Sequence, residues 1–325
     1  MNYLINAVLI ITPLAYITGY SSSFDLGKNF FARSLIIALI YAYGALLVYK
    51  GKLEIQSNRW KNPITLAFLG ITGVLILSTI FSPTPIYSFF GVYQRQFGLL
   101  SWFFIATFFA IIVQNLRPES VKKSAGFIAA TAIATSAYGL LQAAGIDPLF
   151  SQFSAAMFEG RIYSTLGNPD FLAQFIGPTL PIAVTLAILT KKTTHKALWV
   201  IGGLIIFAAL LLTQSRASFV GVLSAGFLFF IIAVYKKVIS RKKAAIIGLV
   251  AVILAIVTFT TPLKNAPLVN RLNLDAINTR SMNSRLVIWS SAVQLIADHP
   301  VLGTGIDTFR VYFPQYASPD FFTLE

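Results

Sequence analysis

Cysteine is missing from all 325 residues, which excludes disulfides and thiol chemistry but leaves the compartment open. Histidine is nearly as scarce, with two residues, and only 11 acids stand against 25 lysines and arginines. Those acids lie in loops, at the ends of apolar runs or in the C-terminal tail, never in the middle of a run. A proton- or cation-coupled transporter wants carboxylate or histidine relays at mid-membrane depth, so that class is disfavoured. Metal-ligand spacing, a serine triad and a Walker loop are also missing, and no metal or cofactor is expected. Nothing resembles a nucleic-acid-binding module, so the net charge of +14 points to membrane lipids rather than to RNA or DNA.

What is plentiful is apolar sequence, at 56% of residues. A bilayer-spanning helix needs about 20 apolar residues. Roughly nine runs approach that length: 3–20, 32–49, 63–81, 98–114, 124–144, 170–190, 197–213, 217–235 and 244–261. None alternates with period two, which argues against a β-barrel. The expected fold is an all-α polytopic membrane protein with about nine transmembrane helices. The first run lacks a basic leader and a cleavage site, and reads as a retained helix.

The two basic residue types separate along the chain. Twelve of fourteen lysines fall in four connections around 50–61, 117–123, 191–196 and 236–243. Every second loop is nearly free of lysine. By the positive-inside rule these clusters are cytoplasmic, the N-terminus is inside and the tail after 262 is outside. His195 sits in one inner cluster and reads as a solvated loop residue. Eight of eleven arginines fall on the outer side. Arginine is a planar fork that grips phosphate or carboxylate with two hydrogen bonds, whereas lysine is a point charge.

Each of the expected second, fourth, sixth and eighth spans begins near an outer arginine: Arg33, Arg95, Arg161 and Arg216. A cation is unfavourable at a helix N-terminus, and a bound anion shared by the arginines and helix starts would account for four such placements. For Arg33 the ordinary explanation is favoured, a side chain reaching lipid headgroups or a nearby carboxylate. Arg216 lies in a short polar break, Thr213-Gln214-Ser215-Arg216, between two long apolar runs, where a charge is costly without a partner or cavity. Gly160–Asp170 contains Asn168-Pro169, which suits an N-cap and first helical position, and Gly167, which permits close backbone approach. Capping explains Asn168. It does not explain Arg161 or the hydroxyl run Tyr163, Ser164 and Thr165.

Two domains are expected: a transmembrane bundle over 1–262 and an outer segment over 263–325. In the latter, 284–297 has helical periodicity with Leu286, Trp289, Val293 and Ile296 on one face, fitting a helix that lies on the membrane surface. Asp298-His299-Pro300 stops it, and 306–312 reads as another short helix before Pro314. Gly303-Thr304-Gly305 follows no strand and lacks a third glycine, so it is not a dinucleotide loop.

Four stretches, Gly91-Val92-Tyr93-Gln94-Arg95-Gln96-Phe97-Gly98, Gly160–Asp170, Leu212–Ala217, and Arg285 with Trp289 followed by His299–Gly305 and Phe309, together resemble the O-antigen ligase and polymerase superfamily. Relatives typically have Gly-Asn-Pro-Asn in the second stretch, and Asp170 departs from that. The resemblance implies a bacterial glycosyltransferase of the cell envelope, in the cytoplasmic (inner) membrane with its active face outward. It implies a polyprenyl-diphosphate glycan donor, such as an undecaprenyl diphosphate-linked oligosaccharide. It also implies a lipid, glycan or protein acceptor, and no metal. By matching position Arg161, Arg216, Arg95, Asn168 and Arg285 are the substrate-binding candidates. The family's general base is a histidine in a His-Asn segment that neither His195 nor His299 matches, so the catalytic residue is unassigned and the chain is expected to be cut short of it. The sequence leaves open an alternative, a lipid-linked glycan binder or transporter without catalysis, and a purely structural membrane protein.

Overall fold

In the computed structural model of the chain, residues 1–17, 23–51, 57–93, 95–150, 158, 160–237 and 280–318 are described. Every regular element among them is helical: α1 (Asn2–Leu14), α2 (Ser23–Lys50), α3 (Ser57–Trp60), α4 (Pro63–Ile80), α5 (Pro85–Phe90), α6 (Leu99–Asn115), α7 (Pro118–Ala143), α8 (Pro169–Leu189), α9 (Thr193–Thr213), α10 (Arg216–Tyr235), α11 (Arg280–Asp298) and α12 (Phe309–Tyr316), with a 3₁₀ turn at Ser164–Leu166. α2, α4, α7, α8 and α9 are long and apolar enough to cross a membrane. α1, α6 and Arg216–Ile232 are shorter apolar helices. The expected span at 244–261 and the expected boundary at 262 lie outside the described residues.

Two local signals set helix starts where the sequence places them. Asn62 accepts from Ile64 N at the head of α4, and Asn168 accepts from Asp170 N at the head of α8, each with proline at the next position. Elsewhere the bounds move. α1 ends at Leu14, just past its internal Pro13 and short of the expected 20. α2 starts at Ser23 instead of 32, because Lys28, ahead of the expected run, is carried on the helix itself, and this leaves Arg33 inside the helix and not at its start. α12 begins at Phe309, not 306, and runs through Pro314 instead of ending before it.

α4 shows how lipid exposure inverts a surface. Its Thr65, Ser78 and Thr79 are buried, while Ile64, Leu66, Val74 and Ile80 are exposed. A soluble monomer seldom exposes so much contiguous apolar surface. The buried hydroxyls satisfy themselves on carbonyls one turn back or on neighbouring segments, as Thr79 Oγ1 does on Leu75 O.

The described residues form two compact units. The first holds residues up to 124 together with 280–318. There α1 packs on α2, and α6 packs on α2, α4 and α5, with Ile5, Leu39 and Ile111 at one core. The second starts at Ala125. Its core is Ala132, Ile162, Leu172, Ile176, Ala183, Ile206, Ala209 and Leu210, with α8 packed mainly against α9 and then α10. Glycine permits close approach on two sides: a Cβ on Gly177 of α8 would stand 3.1 Å from Val222 Cγ2 of α10, and one on Gly202 of α9 would stand 2.3 Å from Ile133 Cδ1 of α7.

Candidate functional site

In the second unit the polar break between α9 and α10 is the focus. Gln214 adopts a left-handed conformation, φ +52°, and ends α9, and Arg216 is the first residue of α10. A helix C-terminus exposes unsatisfied carbonyls, and a helix N-terminus exposes unsatisfied N–H groups. Both kinds meet within three residues here. Arg161 answers the first kind: its Nε donates to Thr213 O at 2.7 Å. Ile162 N also reaches Leu212 O at 3.5 Å. The segment carrying Arg161 is therefore tied to the break that carries Arg216. Those two candidates, 55 positions apart in sequence, are organised around one helix junction.

Their remaining contacts differ. Arg161 Nη2 donates to Asp170 Oδ1 at 2.9 Å in an ion pair. Arg216 is half-buried and, among the described residues, has no hydrogen-bond or ion-pair partner. Asn168 is occupied as the cap of α8.

The loop before α8 is held by a polar cluster with no signature in the sequence. Asp147 accepts from the hydroxyls of Tyr138 and Tyr163, from Gln142 Nε2 at 3.0 Å and from Phe150 N at 3.1 Å. Gln142 Oε1 accepts from Ser164 N at 2.7 Å, and Ser164 Oγ donates to Thr135 O at 2.7 Å. Burial, reinforced by the Asp147 carboxylate, pushes the Tyr163 phenol above its ordinary range, so it stays a neutral donor. The hydroxyl run 163–165 is thus buried and structural, with Ser164 at 0% exposure. Residues 138, 142 and 147 gave no sequence signal, because one tyrosine, one amide and one acid form no motif until the loop folds onto α7.

In the first unit the loop 91–98 is nearly closed on itself. A Cβ on Gly91, φ +84°, would stand 2.4 Å from Phe97 N, so only glycine fits. The Asp307 carboxylate holds this loop, accepting from Val92 N at 2.9 Å and Phe97 N at 3.4 Å. Arg33 holds it from the other side: Nη2 donates to Gln96 O at 2.8 Å and to Ser101 Oγ at 2.6 Å, and Nη1 donates to Gln96 Oε1 at 3.3 Å. The expectation that Arg33 reaches lipid headgroups or a carboxylate is corrected. It lies well inside α2, not at a helix start, and it satisfies loop oxygens.

Arg95 is exposed and, with Asp307, Phe309 and Arg310, lines an open cavity of about 390 Å³. Arg285 is exposed on α11 and has no hydrogen-bond partner among the described residues. His299 sits at the stop of α11 beside the Tyr312 ring, its carbonyl accepting from Gly303 N at 3.2 Å. His195 is exposed in the first turn of α9.

Compared with known proteins, residues 201–323 match a family model described as O-antigen ligase. That stretch holds Arg216, Arg285 and the 299–305 turn, while Arg95, Arg161 and Asn168 lie upstream of it. No curated protein and no solved structure matches the chain.

Proposed function

On the premise that the chain belongs to the O-antigen ligase superfamily, which the match over 201–323 supports, we propose that it moves a glycan from a polyprenyl-diphosphate donor to an acceptor hydroxyl at the outer face of the cytoplasmic membrane. The observation that carries this reading is the junction between α9 and α10. Arg161 is anchored there through Thr213 O, and Arg216 stands there without a partner among the described residues. A diphosphate leaving group gathers negative charge as the glycosidic bond breaks. Arginine forks and helix N–H groups aimed at it lower the barrier without a metal.

In this scheme Arg216 is the principal diphosphate ligand and Arg161 the second. Arg95 and Arg285, exposed on the first unit, remain substrate-binding candidates of that unit by itself, and the acceptor is a lipid, a growing polymer or a protein. Asn168 contributes by fixing the start of α8. The acceptor hydroxyl needs a base, and neither His195 in its exposed first turn nor His299 beside Tyr312 is assigned that role.

The test is glycan transfer from a lipid-linked oligosaccharide donor in membranes carrying the protein. Arg216→Ala is expected to lower transfer by tenfold or more, in line with about 1.5–3 kcal/mol for a charge-assisted hydrogen bond. His299→Ala is expected to leave it near wild type. Donor binding that proceeds with no transfer at all would replace the enzyme reading with that of a carrier.

A further inference from the structure

Arg161 already holds an anion. Its Nη2 meets Asp170 Oδ1 at 2.9 Å, and Asp170 is the second residue of α8, where the helix N-terminus favours negative charge. The guanidinium and the helix start that would jointly receive a phosphate group are bridged by a carboxylate of the chain itself. The two partners are not held equally. Arg161 keeps 16% of its side chain exposed and is anchored independently through Nε to Thr213 O, so it stays in place if the carboxylate leaves. Asp170 keeps 44% exposed, and among the described residues its side chain is held by Arg161 alone. Water already reaches the carboxylate, so exchange needs no unfolding of α8, whose start is fixed by Asn168 and Pro169.

We propose that Asp170 is a specificity-setting residue, an internal carboxylate that occupies the Arg161 fork until the diphosphate of a lipid-linked donor displaces it. This rests on the reading of Arg161 as a donor-binding residue. A single carboxylate in a half-exposed pair is a weak competitor. A diphosphate, with more charge and more acceptor oxygens, displaces it, whereas singly charged anions compete poorly for the fork. The returning carboxylate also favours release of the diphosphate once the glycan has gone.

The test is binding of geranyl diphosphate, followed by calorimetry, to the full chain in lipid nanodiscs. Asp170→Asn keeps the shape of the helix start and removes the charge, and it should tighten binding by about 1.5- to fivefold, the range expected when an exposed competing ion pair is lost. Asp170→Ser serves as a second variant, and thermal unfolding of each confirms that α8 is intact. The tightening should vanish in an Arg161→Ala background. Unchanged or weaker binding in both Asp170 variants overturns the proposal, because a purely supporting role for Asp170 gives that result. Tightening that persists without Arg161 overturns it too, since it would reflect net charge alone. If Arg161→Ala and Arg216→Ala both bind like wild type, the donor-site reading itself fails, a pattern distinct from the other two.

Discussion

At the scale of single residues, the arginines divide by what their guanidinium groups touch. Arg59, on the lysine-rich side, donates to Val113 O and Leu116 O at the end of α6. Arg33 does comparable work for the loop 91–98. Both satisfy carbonyls that the helix and loop geometry leaves open. Arg216 lacks such a contact among the described residues, and Arg161 spends only its Nε on a carbonyl, Thr213 O, a difference invisible in the sequence that leaves these two as the candidate ligands. Replacing Arg33 by alanine removes hydrogen bonds from a charged donor to Gln96 and Ser101. It should lower stability by about 1.5–3 kcal/mol. Lysine should recover only part of this, because it cannot span both Gln96 oxygens as a fork. Denaturant or thermal unfolding in detergent checks the stability, and diphosphate affinity should remain near wild type. Affinity falling in step with Arg216→Ala would put Arg33 in the donor site instead.

At the scale of elements, apolar length and capping residues were readable and contacts were not. The apolar run at 63–81 announces α4 and Asn168-Pro169 announces α8, because apolar length is read directly and an N-cap with a first-turn proline acts locally. The periodicity at 284–297 announces α11, whose Leu286, Trp289, Val293 and Ile296 are exposed while Ser291 and Leu295 are buried. The early start of α2 was hidden because Lys28, ahead of the apolar run, looks like a loop residue, yet a long helix can carry it on a polar side. The role of 301–308 was hidden for another reason: it depends on partners more than 200 positions away. Ser78 Oγ donates to Leu302 O, Ser82 Oγ donates to Thr304 O, and Ile306 N donates to Ser88 Oγ. Gly305, φ +111°, makes this docking possible, since a Cβ there would lie 2.6 Å from both Ser82 Oγ and Ser88 Oγ. Gly305→Ala should therefore destabilise the first unit by more than the about 1 kcal/mol typical of a point substitution, through both the clash and the backbone conformation. The check is thermal unfolding, with pulse proteolysis reporting release of 301–308. A variant as stable as wild type would mean that the turn is not docked as described.

At the scale of the whole molecule, the distribution of lysine and arginine predicts an orientation that labelling can test on a background without cysteine. Cysteines at Ser57, Thr193 and Ser240 should react only with membrane-permeant reagents, and one at Ser281 should react with impermeant ones. Ser164, otherwise a natural outer probe, is fully buried, and exposed Ala144 at the end of α7 replaces it. Reversed labelling at two or more sites would invert the map and place Arg161 and Arg216 on the wrong face for an outer donor. With orientation fixed, the account stands on the helix junction at 213–216. The most direct measurement is equilibrium binding of undecaprenyl diphosphate to the protein in lipid nanodiscs, comparing wild type with Arg216→Ala and Arg216→Lys. Alanine should weaken binding about tenfold or more, and lysine should restore only part of the loss because it keeps the charge without the fork. Wild-type affinity in the alanine variant would contradict the proposed site.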